Sequence, residues 1–213
     1  MEKGIVIKST GSWYLVKRTN GEIIEARIRG KLRTKGLRTT NPVAVGDIVS
    51  LEKNEDNFVI TEIGERRNYI IRKSTNLSKE AHIIASNVDQ TLLIATINHP
   101  VTSAVFIDRI LATTEAYKIP AILVFNKSDL YDNTDREKAT ELITIYSEIG
   151  YRCLQVSAVT GQNITELREL LKDKVTVLSG MSGVGKSTLI NCIEPQLQLK
   201  TASISDSHDT GKH

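Results

Sequence analysis

The sequence predicts two folds in series: a small all-β barrel, then a parallel α/β sheet with helices on both faces. The first 70 residues carry short runs rich in Ile, Val, Tyr and Trp, separated by Gly and Asn turn signals. From Val88 onward, apolar strand-like runs alternate with amphipathic helical stretches, the pattern that builds βαβ units. Charge shifts in the same region: Met1 to Lys73 holds fifteen Lys and Arg against nine Asp and Glu, and Ser74 to His213 holds thirteen against sixteen. A basic front and a mildly acidic rear point to two domains, with polyanion contact expected at the front.

In the front part, strands are expected at Gly4–Lys8, Ser12–Lys17, Glu22–Ile28, Asp47–Glu52 and Phe58–Ile63. Asn20-Gly21, between the second and third, predicts a type I′ hairpin, which needs positive φ at both central residues. Five short strands in about 65 residues suit the oligonucleotide-binding (OB) barrel, with an SH3-like barrel as the rival. Trp13 and Tyr14 occupy adjacent, opposite-facing positions; Trp13 is expected in the core and Tyr14 outside, where a base could stack on it. Between the third and fourth strands, Arg29 to Asn41 carries Arg29, Lys31, Arg33, Lys35 and Arg38 with no acidic residue, and is expected to touch phosphates. The domains are set at 1–72 for the barrel, 73–86 for a linker and 87–213 for the α/β part.

In the rear part, strands are expected at Thr91–Ile97, Ala121–Asn126, Cys153–Ser157 and Val175–Leu178, with helices near Ser103–Tyr117, Asp135–Ile149, Ile164–Lys172 and Lys186–Ile193. Thr134 with Glu137, and Asn163 with Glu166, are spaced as cap and third helical residue. Cys153 and Cys192 form neither a metal-binding pair nor a disulfide framework and read as small core residues. Gln90 reads as a structural residue near the sheet edge. The four histidines show no ligand spacing. Apolar runs are too short to span a bilayer and no leader-like start opens the chain, so a cytoplasmic protein without membrane contact is expected.

The residues from Gly180 to Ser187 fit GxxxxGK[ST], with an apolar strand before and a helical stretch after. Glycines let successive N–H groups turn inward onto phosphate oxygens, and the helix N-terminus adds positive charge there. Ser182, Gly183, Val184, Gly185, Lys186, Ser187 and Thr188 are therefore expected to bind phosphate. Lys186 would reach the β- and γ-phosphates and Ser187 would hold Mg²⁺; both are expected to be catalytic. The base is chosen elsewhere. Asn126-Lys127-Ser128-Asp129 matches NKxD, in which a carboxylate accepts from guanine N1–H and the 2-amino group together. Asp129 is the specificity residue, Lys127 lies along the base or ribose, and Asn126 braces the loop. Ser157-Ala158 supplies the companion element at guanine O6. The P-loop comes last in this chain rather than first, which a circular permutation of one sheet accommodates.

A basic barrel, then Asn87-Val88-Asp89-Gln90, then NKSD, then a late GMSGVGKST, resembles the ribosome small-subunit-dependent GTPase A family across essentially the whole chain, Val45-Gly46-Asp47 included. The resemblance implies a circularly permuted GTPase in late 30S subunit maturation. It would use GTP as a release switch, bind rRNA through the OB barrel, act as a monomer and require Mg²⁺. Thr210-Gly211-Lys212-His213 resembles the start of the family's switch element. The family's DTPG loop and its zinc domain, where Zn²⁺ would bind, do not follow it here, so a partial GTPase domain with poor turnover is expected. Two other readings stay open: an ATP-dependent P-loop phosphotransferase, and an RNA-binding module with a vestigial nucleotide site.

Overall fold

The computed structural model describes residues 2–29, 42–54, 57–73 and 81–200. The basic segment from Arg29 to Asn41 lies outside the described residues apart from Arg29, and so do the 201–213 stretch and its Thr210–His213 motif. The chain divides into two compact units, residues 1–88 and 89–213.

In the first unit, β1 (Glu2–Ser9), β2 (Tyr14–Arg18), β3 (Ile23–Ile28), β4 (Ile48–Asn54) and β5 (Asn57–Ile63) form a closed barrel. The order is β1-β2-β3-β5-β4, with β4 returning to β1 and a parallel β3–β5 pair. This is the OB arrangement rather than an SH3-like one. Period-two alternation sends Val6, Val16, Ile24, Ala26, Val49, Leu51 and Ile60 into one core.

Two details differ from the sequence expectation. The strand β2 alternation places Tyr14 inside, 1% exposed, with its hydroxyl donating to Gly11 O at 3.1 Å. Trp13 sits just ahead of that strand, half-buried, with the Arg27 guanidinium 3.6 Å from its ring centroid. Tyrosine can fill this core because its polar tip reaches a backbone partner, while the Trp13 face gains a cation. The β2–β3 hairpin forms, but not through a type I′ turn. Only Gly21 has positive φ (88°), and Gly21 N donates to Arg18 O while Arg18 N donates to Glu22 O. A three-residue loop with glycine last satisfies the strand twist equally well.

The stretch assigned to a linker contains a strand. β6 (Tyr69–Lys73) and β7 (Ala81–Ser86) pair as an antiparallel ribbon, and Val45 bridges Ala85. Its anchor is Asp47, fully buried. The Asp47 carboxylate accepts from Arg66 Nε and Nη2 (2.7 and 2.6 Å), Ser86 Oγ (2.6 Å) and Ala44 N (2.8 Å). Gly46 is required beside it: a Cβ there would stand 2.0 Å from Ser86 O. Asn87 Nδ2 donates to Gly46 O, and Asn68 pairs through its side-chain amide with both the N–H and C=O of Val88.

In the second unit, β8 (Gln90–Ala95), β9 (Ala121–Phe125), β10 (Arg152–Gln155) and β11 (Thr176–Ser179) form a parallel sheet in the order β10-β9-β8-β11. Alternate residues of the central strands go to opposite layers. Leu92, Ile94, Ile122 and Val124 pack with α3 (Ile164–Leu171) and α4 (Lys186–Ile193). Leu93, Ala95, Leu123 and Phe125 pack with α1 (Ala104–Ala116) and α2 (Asn133–Ile149). Cys192 packs on the first layer and Cys153 on the second, both partly buried. Gln90 is structural: its amide donates to Leu170 O and Thr176 Oγ1.

Helix starts refine the cap assignments. Ser103 caps α1 through Phe106 N. Helix α2 begins one residue before Thr134 and is capped by Asp132, whose carboxylate accepts from Asp135 N at 2.8 Å. Asp132 is as good a cap and lets the helix start two residues earlier. Asn163 stands at the start of α3, but its side chain donates to Gln155 O instead of capping.

Removing the Asp47 carboxylate strands a nearly buried guanidinium. Asp47→Ala is expected to destabilise the barrel unit by about 3–5 kcal/mol, read by urea unfolding followed through Trp13 fluorescence; an unchanged midpoint would refute the anchoring role.

Candidate functional site: a P-loop beside a base-recognition loop

The strand β11 ends at Ser179 and the chain turns through Gly180–Gly185 into α4. Val184 is fully buried in the α3/α4 layer and plugs this turn into the core. Gly183 and Gly185 have φ of 81° and 87°, and no side chain caps α4. A helix that starts without a side-chain cap has first-turn N–H groups of the kind that suit an anion. Lys186 bends back over the loop, donating to Gly180 O (2.9 Å) and Met181 O (2.5 Å). Burial pushes its ammonium below the ordinary lysine range, so an anionic neighbour would stabilise its charge. Ser182 and Ser187 are half-buried in the turn and first helical turn, whereas Thr188 points to solvent.

The NKSD loop follows β9 and lies against this turn. Asn126 is 1% exposed, and its Nδ2 donates to Val184 O at 2.9 Å. The fit leaves no space for a side chain opposite: a Cβ on Gly185 would stand 2.6 Å from Asn126 Nδ2. Asn126 Oδ1 is buried without a hydrogen-bond partner among the described residues. A glycine cradle, an uncapped helix end and an orphan buried acceptor at one place fit a nucleotide.

Lys127 has φ 65°, is half-buried, and donates from Nζ to His99 O at 2.6 Å. Burial lowers its pKa, while the Asp129 charge acts the other way. Asp129 is exposed, and one carboxylate oxygen accepts from Ser157 Oγ at 2.5 Å. Ser157 is fully buried and its hydroxyl accepts from Thr160 N. This orients the Asp129 carboxylate. Ala158 follows, packed on the α3/α4 layer.

Three contributors carry no signal in the sequence reading. Gln162 ties the two base loops, accepting from Ser128 Oγ (2.8 Å) through its side chain and from Ser157 N through its carbonyl. Its place just after Gly161 in the loop following Ser157-Ala158 could have flagged it. Tyr131 donates to Asn126 O at 2.9 Å from the opposite layer. His99 contributes only a carbonyl, which no residue type announces. No group of three His, Cys, Asp or Glu residues that could hold a metal occurs among the described residues.

A parallel sheet with its base-recognition loops ahead of its P-loop defines a circularly permuted P-loop GTPase domain, here preceded by an OB barrel. Residues 63–213 match the model of the RsgA GTPase family and residues 3–59 that of the RsgA N-terminal domain. The chain belongs to the RsgA GTPase family. It is 53% identical over 212 residues to the small ribosomal subunit biogenesis GTPase RsgA of Bacteroides fragilis strain YCH46, covering 99% of this chain and 68% of that protein. The RsgA of Phocaeicola vulgatus is 55% identical with the same coverage. Among solved structures, YjeQ from Thermotoga maritima superposes with a TM-score of 0.77 at 37% identity, covering 94% of this chain and 68% of that one. YloQ, described as a circularly permuted GTPase, gives 0.71 at 30%, covering 92% and 66%.

Burial raises the Tyr131 phenol to about 12, against an ordinary value of 10. The folded domain favours its neutral form, so this contribution is complete below pH 10 and is lost as the pH climbs to about 12. Tyr131→Phe is expected to flatten part of the loss of stability across that window, read as urea midpoints from pH 9 upward, the rest falling to the also-raised Tyr146 and Tyr151 phenols; equal slopes would exclude a contribution from Tyr131.

Proposed function

We propose that this chain binds GDP and GTP and hydrolyses GTP as a factor in small ribosomal subunit biogenesis, the role printed in the names of its RsgA relatives. The observation that carries the nucleotide reading is the Asn126–Val184 hydrogen bond, which joins the base loop to the phosphate loop. Asp129 would read guanine N1–H and the 2-amino group, with Lys127 along the base and the Ala158 N–H at O6. The N–H groups of Ser182, Gly183, Val184, Gly185 and Lys186 would cradle the β-phosphate. Lys186 would move from the Gly180 and Met181 carbonyls toward the β- and γ-oxygens and hold the charge that develops during in-line attack by water. The Ser187 hydroxyl, in the first turn of α4, and Thr188 beside it would complete this end of the site. Mg²⁺, held by Ser187 together with phosphate oxygens, would neutralise phosphate charge.

The same reading assigns the barrel to rRNA. Its support is the excess of Lys and Arg in the first 73 residues and the half-exposed Trp13 ring under Arg27. The protein would work as a cytoplasmic monomer; no helix among the described residues is long and apolar enough to cross a membrane. An ATP-dependent phosphotransferase is disfavoured because adenine offers no donor pair to Asp129.

Asp129→Asn exchanges an acceptor for a donor. It is expected to weaken GDP binding roughly a hundredfold and to favour xanthosine diphosphate, measured by titration with both nucleotides; retained guanine preference would refute the assignment. Purified 30S subunits are expected to raise the GTP turnover of the protein well above its intrinsic rate. A rate indifferent to 30S would remove the ribosomal role and leave the nucleotide site standing.

A further inference from the structure

We propose that the loop Thr96–Thr102 is a further nucleotide-affinity element, in which Thr96 and Thr102 are positioning residues that hold the His99 carbonyl against the Lys127 ammonium. The proposal rests on the guanine-nucleotide reading above. The loop follows β8 and is tied at its base: Thr96 N donates to Thr102 Oγ1 (3.0 Å) and Thr102 N to Thr96 O (2.9 Å). The Thr96 hydroxyl donates to Pro100 O (2.5 Å) inside the loop. Both threonines and Pro100 are buried, while His99 at the tip is exposed.

The tip carbonyl takes the Lys127 ammonium at 2.6 Å. The carbon that carries this ammonium also meets the P-loop: Lys127 Cε stands 3.7 Å from where a Cβ on Gly185 would be. The head of Lys127 is thus held between the Thr96–Thr102 tip on one side and the P-loop on the other. A free lysine samples many rotamers, and a base binding against one must order it. The loop removes that cost before the nucleotide arrives, which is preorganisation. Partial burial disfavours the Lys127 charge, and the His99 carbonyl offsets part of that.

The test is a double-mutant cycle on the full chain, titrated with fluorescent mant-GDP. Thr96→Val keeps the shape and removes the hydroxyl, and is expected to raise Kd about fivefold. Lys127→Ala is expected to raise it further, and adding Thr96→Val to it should change Kd less than twofold, because the threonine acts through the lysine. Thr96→Ser keeps the hydroxyl and should keep wild-type affinity; the loss of the threonine effect in the Lys127→Ala background is what a merely structural role would not produce. Thr102→Val cuts the other tie and replaces Thr96→Val in the cycle if that variant fails to fold. An unchanged Kd in the threonine variant, or the same factor in both lysine backgrounds, overturns the proposal. Lys127→Ala binding mant-GDP as tightly as wild type would instead overturn the guanine-site reading, and this proposal with it.

Discussion

The second unit depends on one amide. Asn126 lies at the end of a central strand with its side chain wholly enclosed, and it donates to a carbonyl 58 residues later in the chain. An amide buried at this depth is costly unless its donor is paired, so the P-loop turn must stand where Val184 O can accept. Gly185 has no side chain to resist that approach, and the Val184 side chain, plugged into the core from the same turn, sets its depth. The loop after β9 and the P-loop turn are therefore fixed relative to each other by the protein's own contacts.

Permutation leaves this arrangement intact because a parallel sheet is assembled by register rather than by order of synthesis. β11, the last strand in sequence, sits beside β8, the first, and their residues align from Thr176 with Gln90 to Ser179 with Leu93. All four strands point the same way, so every strand-to-helix loop emerges at one edge. The loops after β8, β9, β10 and β11 then meet there whatever their sequence order. The buried faces enforce the register: a slip of one residue would send Leu92 and Ile94 to the α1/α2 layer and Leu93 and Ala95 to the other.

The first unit solves a different problem. A five-stranded barrel of this length has a small core, and it gains a ribbon, β6–β7, held by a buried carboxylate instead of by more apolar surface. Asp47 uses both oxygens, with Arg66 bidentate and Ser86 and Ala44 filling the remaining acceptor positions. A buried charge satisfied this completely fixes one geometry, since every partner must be in place at once. Asn87 and Asn68 continue the same network up to Val88, the last residue of the unit.

How much of this was legible followed from how local each cause is. Strand and helix periods, the Gly180–Ser187 spacing and Asn126-Lys127-Ser128-Asp129 are set by residues near one another, so the OB barrel and the permuted sheet were readable from the chain, and both loops stood out as candidates. Choices between neighbours, such as Tyr14 over Trp13 for the core or Asp132 over Thr134 for the cap, turned on a register of one or two residues that local pattern leaves open. Folding in three dimensions was needed to bring Asn126 to Val184, Gln162 between Ser128 and Ser157, Ser86 onto Asp47, and the His99 carbonyl to Lys127. The long-range bond in each joins groups 28 to 58 residues apart, and three of the four use a backbone carbonyl, an atom every residue carries and no sequence pattern can single out.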